Sequence, residues 1–511
     1  MFRRTFLKGA AGITALGSLT SPLLTRQAWG ADKKVLRIAM NSEVLTLDPI
    51  KTVYGPDIIA QGVMFSRLQR ADADRKKLFP ALAEKWDISD DGKVYTFYLR
   101  EAKFSDGSPI TAEDVAFSYT RMRWQKDSAY AGPFQPLEKT EATGPMTVVM
   151  HLKERFTPFL TLTEIWNSGI VPKAAVQAMG DDKYALTPVS SGPFRLAEWR
   201  KGDRLILEKN PHYYRDGLPY LDGVEFLYVA DDNTRVSMLQ GGEIDVCMDA
   251  PYPLFAGLAA QGFQAKPEPT SIIYDLIINH TVEPFNDIKV RQAASFGIDR
   301  KAISDAVTLG LGQPATSLMA PVLNYFNTDL PVITRDVAKA KALLAEAGKP
   351  NVAFEIVISA GIASDERTAV LIQSQLAEVG FTVNIAKVDS TEEWNRLVDG
   401  KYQSTLNWWY NETRDPDNAL RWCIWGVGEN KSYYSRYNNP RVNELLDQAA
   451  ATDDGEKRKA MYFEAQKLAF DEVAQIGLYY PPYHHAASVK VEGLKLNPGY
   501  QYSTIDEAKL A

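Results

Sequence analysis

The stretch from residue 353 to residue 388 decides the fold class. It begins AFEIVI (353–358), continues through a helical span at 365–379, and ends, after Gly380, with FTVNIAKV (381–388). β-Branched and aromatic residues are typical of strands, and glycine is typical of the end of a helix. A strand, a helix and a second strand in this order predict a parallel strand pair with a helical crossover.

Strands and helices alternate on both sides of this unit. Further strands are predicted at 35–40, 204–208, 224–229 and 475–480. Further helices are predicted near 234–240, 336–347 and 455–473, and one begins at Asn439-Pro440, where Pro takes the first helical position.

A β-rich piece interrupts the alternation near 66–179. Strands are predicted at 94–99, after the turn Asp90-Asp91-Gly92, and at 148–152. Between them Thr111 caps a helix, with Asp114 three residues later. The sequence therefore predicts an α/β protein of two lobes with an inserted or appended β-rich piece.

Composition excludes several classes of function. The chain has 511 residues, 57 basic and 64 acidic, and a net charge of −7. An acidic chain without basic tracts argues against nucleic acid as a partner. Five histidines and two cysteines leave little for a zinc site, and the length is ample for a hydrophobic core.

The first thirty residues resemble an export signal. Arg3-Arg4-Thr5-Phe6-Leu7-Lys8 precedes a short apolar stretch, and Ala28-Trp29-Gly30 supplies a cleavage site. The twin arginine predicts the twin-arginine route, with an ordinary secretory signal as the alternative. We expect a periplasmic protein without a lipid anchor, because no Cys lies near the cleavage site. Removal of residues 1–30 takes away basic residues only and leaves the chain more acidic than −7.

The cysteines and histidines are expected to be structural. Cys247 and Cys423 are predicted to be two unpaired, buried thiols, although an exported protein could form a disulfide. His484-His485 is the one histidine pair in the sequence. Adjacent residues on a strand point to opposite faces, so these two do not easily share a metal. We expect neither a metal nor a cofactor.

No catalytic motif is present. The sequence lacks a G-x-S-x-G elbow, an H-E-x-x-H pair and a phosphate loop. The chain is therefore predicted not to be an enzyme. A secreted hydrolase that uses two carboxylates remains the alternative, because such a pair needs no local spacing.

Several segments in order resemble one family. They are Leu82–Trp86, Phe104–Gly107, Thr111–Val115, Ser191–Phe194, Asn210–Tyr214, Pro284–Ala293, Asp299–Ile303, Leu376–Phe381 and Asp415–Asn418. Together they resemble the extracytoplasmic solute-binding proteins of ABC importers, in the family that takes up dipeptides, oligopeptides and nickel complexes. The resemblance covers essentially the whole chain after residue 30.

The resemblance implies a two-lobed periplasmic-binding-protein fold with an extra domain inserted in the first lobe. Residues 31–272 and 484–511 are expected to form the first lobe, which includes the extra domain at 66–179. Residues 273–483 are expected to form the second. The solute would lie between the lobes, which close by hinge bending, and the closed monomer would dock on ABC permease subunits in the inner membrane.

The resemblance also implies ligand-binding residues. Trp409 matches a Trp that lines the cleft of peptide-binding relatives, and Glu412 matches the acidic residue that pairs with the peptide ammonium group. Asp415 is the nearby alternative to Glu412, and Tyr54 matches a first-lobe strip that approaches the ligand. Each has a structural alternative: core packing for Trp409, capping of the turn at Pro416-Asp417 for Asp415, and a surface-loop ring for Tyr54.

One departure bears on the ligand. Dipeptide binders of this family have an arginine just after the strand that here ends at Ile358, and it holds the peptide carboxylate. This chain has Ser359-Ala360-Gly361 there. A serine does not replace a bidentate guanidinium. The expected solute is therefore a peptide or a peptide-like amine, with an opine-like compound or a nickel complex as the alternatives.

Overall fold

The computed structural model describes residues 33–72, 74, 76–428, 431–499 and 501–511. The export signal predicted for residues 1–30 lies outside this part of the chain. Residues Lys34–Ala511 form one compact unit, and it contains three larger sheets.

The first sheet is built around the predicted strand Val35–Met40, which is buried along most of its length. It runs parallel to Gly223–Tyr228 on one side and to Val246–Cys247 on the other. The full strand order is Ala486–Ala487, Val246–Cys247, Val35–Met40, Gly223–Tyr228, Arg204–Lys209 and Phe194–Arg200. Helices of this region are Gly55–Met64, Asp232–Gly241 and Tyr252–Ala260.

The second sheet contains the stretch that decides the fold. Val352–Ser359 pairs in parallel with Phe381–Val388, and the helix Ala363–Ala377 connects them, so the predicted crossover is confirmed. Gly380 ends the crossover with φ at 119°, a conformation that glycine tolerates. The full strand order is Gln313–Pro314, Ile476–Tyr480, Ile273–Ile278, Ser404–Trp409, Val352–Ser359 and Phe381–Val388.

Helices cover both faces of this second sheet. Leu276 and Ile358 belong to a core cluster on one face, and Ile277 and Val357 belong to a second cluster on the other. The helices are Ile288–Gly297, Arg300–Thr308, Val337–Glu346, Ala363–Ala377, Ser390–Asp399, Pro416–Ile424, Pro440–Ala450 and Glu456–Asp471.

The β-rich piece forms the third sheet. Its strands lie in the order Ala83–Ile88, Val94–Leu99, Thr147–Leu152 and Leu137–Gly144, all antiparallel. The helix Ala112–Trp124 begins with the predicted capping box, in which Thr111 and Asp114 bond each other's backbone N–H. Shorter elements are the strand pairs Gln69–Ala71 with Leu78–Pro80 and Val491–Glu492 with Lys509–Leu510, and the helices Phe159–Leu162, Lys173–Met179 and Asp181–Tyr184.

The predicted alternation and the α/β class are thus confirmed. Both cysteines are buried and unpaired, as predicted. Burial raises the pKa of the Cys247 thiol to about 11 and raises that of Cys423 as well, so both are neutral small hydrophobes in the folded chain.

Candidate functional site

The carboxyl ends of three parallel strands meet at one edge of the second sheet. These strands end at Ser359, Val388 and Trp409. Each is followed by a helix, beginning at Ala363, Ser390 and Pro416 respectively. In α/β proteins, ligands bind at such carboxyl ends, where helix N-termini and loop side chains converge. This strand-end edge is the candidate site.

Trp409, predicted to line the cleft, is buried at this edge with 6% of its surface exposed. Its indole Nε1 donates a 3.0 Å hydrogen bond to Oδ2 of Asp275, and its ring belongs to a core cluster that includes Leu420 and Tyr433. The core-packing alternative therefore describes its surroundings, and a ligand contact stays a prediction. The neighbouring Trp408, which sequence reasoning did not single out, is 44% exposed.

Asp275 is a buried acid on the strand next to Trp409. Burial raises its pKa to about 8, and the hydrogen bond from Trp409 opposes that rise. Its Oδ1 meets no hydrogen-bond donor among the described residues. Asp275 is therefore protonated at neutral pH, which spares the core an uncompensated charge.

Glu412, predicted to bind an amine, lies beyond the end of the same strand. Its Oε2 accepts a 2.6 Å hydrogen bond from Nδ2 of Asn418. The same amide donates to the Tyr130 hydroxyl at 3.1 Å, and Tyr130 belongs to the segment between the helix Ala112–Trp124 and the strand Leu137–Gly144 of the third sheet. Burial and the charge of Glu412 raise the pKa of Tyr130 well above its usual value. The Glu412 carboxylate therefore lies where the segment that follows the strand Ser404–Trp409 of the second sheet meets the segment that precedes the strand Leu137–Gly144 of the third sheet.

Asp415 is held by contacts within the protein. Its Oδ1 accepts from the backbone N of Asp417 at 2.9 Å and caps the helix Pro416–Ile424. The guanidinium of Arg458 bonds both of its oxygens at 2.8 Å. The capping alternative left open by the sequence is therefore present. Asp415 fixes the start of the helix that carries Asn418, while direct ligand contact by its carboxylate stays a prediction.

Tyr54 lies at the N-terminus of the helix Gly55–Met64 and is 39% exposed. Its backbone N–H donates to Thr52 Oγ1 at 2.9 Å. Trp409, Glu412 and Asp415 lie together on the segment from the end of the strand Ser404–Trp409 to the start of the helix Pro416–Ile424. A ligand contact of Tyr54 stays a prediction.

Ser359, which stands where the family resemblance implies an arginine, faces a carboxylate. Its hydroxyl donates to Glu393 Oε2, and Thr405 Oγ1 donates to Glu393 Oε1 at 2.7 Å. Asp365 lies nearby in the first turn of the next helix. Burial, followed by the negative charge of Glu393, raises the pKa of Asp365 to about 7. Sequence reasoning did not assign either acid to the site, although each lies within seven residues of a predicted strand end.

Four aromatic side chains lie along the strand-end edge. The rings of Tyr410 and Trp408 stack at 6.4 Å, Trp408 is the cross-strand partner of Tyr274, and Tyr274 stacks on Tyr479 at 4.9 Å with an interplanar angle of 8°. We call these four residues the aromatic row. It combines apolar ring faces with the nearby carboxyls of Asp365 and Glu412, a combination that suits cationic groups.

The histidine pair has structural contacts. Nδ1 of His485 accepts from the backbone N of Asp249 at 3.1 Å, and Nδ1 of His484 lies 2.7 Å from the carbonyl O of Ala250. Burial lowers the pKa of His485 to about 4, so it is neutral. No group of three potential metal ligands, and no helix long and apolar enough to span a membrane, occurs among the described residues.

Comparison with known proteins places this chain in a family. The sequence profile described as bacterial extracellular solute-binding proteins, family 5 Middle, matches residues 77–431. The glutathione-binding protein GsiB of Escherichia coli K12 is 30% identical over 97% of this chain and 98% of its own length.

Solved structures show the same fold. The binding protein AgaA of A. tumefaciens R10, in complex with agropinic acid, has a TM-score of 0.83 and 29% identity, over 93% of this chain and 99% of its own. The periplasmic binding protein DppA of Helicobacter pylori, in complex with the peptide STSA, has a TM-score of 0.83 and 24% identity, over 94% and 98%. The expected two-lobed binding-protein fold is thereby confirmed, and the chain belongs to the bacterial extracellular solute-binding proteins of family 5.

Proposed function

We propose that this protein is the periplasmic receptor of an ABC importer, and that it captures a peptide or peptide-like amine-bearing solute between two hinged lobes and delivers it to a membrane permease. The observation that carries the proposal is the position of Glu412. Its carboxylate lies beyond the carboxyl end of a parallel strand and shares Asn418 with Tyr130. A partly desolvated carboxylate held in this way is a strong partner for an ammonium group.

Export and domain organisation are part of the proposal. Residues 1–30 act as an export signal of the twin-arginine type, and the mature protein is monomeric and carries no lipid anchor. The first lobe comprises residues 31–272 and 484–511 with the extra domain at 66–179, and the second comprises 273–483. Hydrogen bonds between Tyr130 and Asn418, and between Thr157 and Ala450 and Thr452, support contact between these regions.

The class of solute follows from the amine partner and from Ser359. GsiB is named for glutathione, and AgaA was solved with agropinic acid, so both peptide-like and opine-like solutes occur among similar proteins. The ion pair of Arg458 with Asp415 supports Glu412, rather than Asp415, as the group that meets the amine, because both oxygens of Asp415 already accept from Arg458.

Native mass spectrometry of the purified protein tests the proposal, because a solute that stays bound through purification appears as added mass. The Tm of the protein is then measured with increasing concentrations of glutathione, di- to tetrapeptides, opines and nickel chelates. The class of solute that binds should raise the Tm to a saturating value. Unchanged solutes after incubation support a receptor. Release of a cleaved product would favour the secreted hydrolase with paired carboxylates.

Glu412→Gln is the matched variant, because the amide oxygen can still accept from Asn418 while the charge is lost. Hydrogen bonds to charged groups contribute about 1.5–3 kcal/mol, so the Kd of an amine solute should rise roughly 10- to 150-fold with little change in Tm. Glu101→Gln, at an exposed position, is the control and should bind as the unaltered protein does. Equal affinity of both variants for the solute would remove Glu412 from the site.

A further inference from the structure

We infer that the solute carries a second cationic group at the end opposite its Glu412-bound amine, and that Asp365 binds this group beside the aromatic row. The inference rests on the proposed function, since it assumes that a solute enters this site. It assigns Asp365 a role in specificity and defines the ligand as a diamine or a guanidino-amine rather than a zwitterionic peptide.

Asp365 has the contacts of a binding group rather than of a structural one. Its side chain is almost fully buried, with 6% exposed. Its carboxylate accepts a hydrogen bond from the hydroxyl of its neighbour Ser364, at 3.3 Å, and no Lys or Arg among the described residues pairs with it. A buried carboxylate is costly unless it meets a cation or several donors. Its second oxygen therefore has capacity for a donor from a ligand.

Other acids place negative charge on Asp365 and on the phenol of Tyr274 beside it. Glu393 acts on it from the helix Ser390–Asp399. The phenol of Tyr274 has a raised pKa because of burial and because Asp365 and Asp249 both place negative charge near it. Asp249 belongs to the predicted first lobe and Asp365 to the predicted second lobe, and both place negative charge near this phenol.

Cations near this cluster are engaged elsewhere. Lys387 pairs with Glu366 at 2.8 Å, and Arg396 pairs with Glu392 and Glu355. His485 lies beside Asp249, but burial lowers its pKa to about 4 and it carries no charge. A positively charged ligand group would therefore supply the neutralising charge that the described side chains do not.

A peptide carboxylate would be repelled at the same place. The resemblance to dipeptide binders implies an arginine after this strand for that carboxylate, whereas Ser359 here donates its hydroxyl to Glu393. A ligand carboxylate would thus meet two acids and no guanidinium, and like charges at short range disfavour binding. An ammonium or guanidinium would instead gain the carboxyl of Asp365 and the ring face of Tyr274.

Three probes of one length separate these possibilities in the unaltered protein. They are 1,5-diaminopentane, 5-aminopentanoate and pentylamine, which share one amine and differ in whether the far end is cationic, anionic or neutral. Diaminoalkanes of four to eight carbons extend the series. In calorimetric titration, at least one diamine should bind about ten times as tightly as the monoamine of the same length, or more tightly. The probe 5-aminopentanoate should bind more weakly than pentylamine.

The variant Asp365→Asn assigns the preference to this residue. It should abolish the advantage of the diamine while it leaves pentylamine affinity unchanged. Glu366→Gln removes the same charge from the next residue, which pairs with Lys387, and should retain the advantage. Because the probe series is measured on the unaltered protein, the comparison stands even if Asp365→Asn folds poorly.

The two proposals fail in different ways. Tighter binding of 5-aminopentanoate or of a zwitterionic peptide than of every diamine would overturn the inference and leave the amine receptor intact. Retention of the diamine advantage by folded Asp365→Asn would overturn the assignment to Asp365. Failure of every amine, peptide and opine to bind would instead contradict the proposed function itself.

Discussion

The indole Nε1 of Trp409 donates a 3.0 Å hydrogen bond to Oδ2 of Asp275 across two neighbouring antiparallel strands. Burial, followed by the charge that this carboxyl group carries when it is ionised, raises the pKa of Cys423 and of Tyr433. Asp275 thus connects Trp409, at the end of the strand that leads to Glu412, with the hydrophobic core. The pKa of Asp275 is about 8.

Stability should fall as the pH rises because of Asp275. In the unfolded chain its proton leaves near pH 3.8, whereas in the folded protein it leaves near pH 8. Between these values the folded state holds the extra proton, so raising the pH favours unfolding, by up to about 1.4 kcal/mol per pH unit from this group. Asp275→Asn keeps the acceptor for Trp409 and should flatten the dependence between pH 5 and pH 8.

Urea unfolding at pH 5, 6.5 and 8 measures this effect. The free-energy difference between Asp275→Asn and the unaltered protein should move in favour of the variant as the pH rises. A difference that stays constant over this range would show that Asp275 is ionised in the folded state, and would refute the assignment.

Loss of the Arg458 guanidinium should destabilise the second lobe strongly. Arg458→Met leaves Asp415 buried without its bidentate partner, and breaking a buried pair in this way costs about 3–5 kcal/mol. Arg441→Met is the control, because Arg441 forms exposed pairs with Glu444 and Glu464 that contribute at most about 1 kcal/mol. The free energies of unfolding in urea should differ accordingly, and equal losses would contradict the structural role of Asp415.

Local patterns predicted the elements well. The capping box of Thr111 and Asp114, and the crossover from 353 to 388, depend on residues close in sequence, and both are confirmed. The position of Glu412 came from the resemblance to a family rather than from any local pattern, because one carboxylate after a strand has many possible roles.

Contacts between distant segments could not be predicted in this way. Whether Trp408 or Trp409 is exposed depends on the pairing of their strand with Ile273–Ile278, about which residues 404–409 carry no information. Arg458 lies 43 residues from Asp415, and Tyr274 stacks on Tyr479 from another strand. The proposed role of Asp365 therefore follows only from the three-dimensional arrangement.

The two thiols should be unreactive in the folded protein. The thiolate is the reactive form of cysteine, and burial raises the pKa of Cys247 to about 11 and that of Cys423 also. Unreduced native protein should react negligibly with Ellman's reagent at pH 7.5, and the same sample should release both thiols in guanidinium. The variant Cys247→Ala should show one reactive thiol when it is unfolded in guanidinium. Absence of thiol in the unfolded, unreduced chain would reveal a disulfide and contradict the free state.

Removal of the Tyr130 hydroxyl should weaken solute binding without disturbing the fold. Asn418 bonds that hydroxyl at 3.1 Å while it also bonds Glu412, the proposed amine partner. In the proposed function this contact between Tyr130 and Asn418 forms as the lobes close on the solute, so its loss falls on the solute-bound state. Tyr130→Phe keeps the ring contact with Trp166, whose centroid lies at 4.9 Å, and loses about 0.5–1.5 kcal/mol of hydrogen bonding. The Kd of the solute retained through purification should therefore rise about 2- to 10-fold in calorimetric titration.

The control variant is Tyr98→Phe. It removes a hydroxyl that bonds Asp87 on the exposed face of the third sheet and should leave the Kd unchanged. Identical affinities in the two variants would mean that the bond between Tyr130 and Asn418 makes no contribution to the solute-bound state.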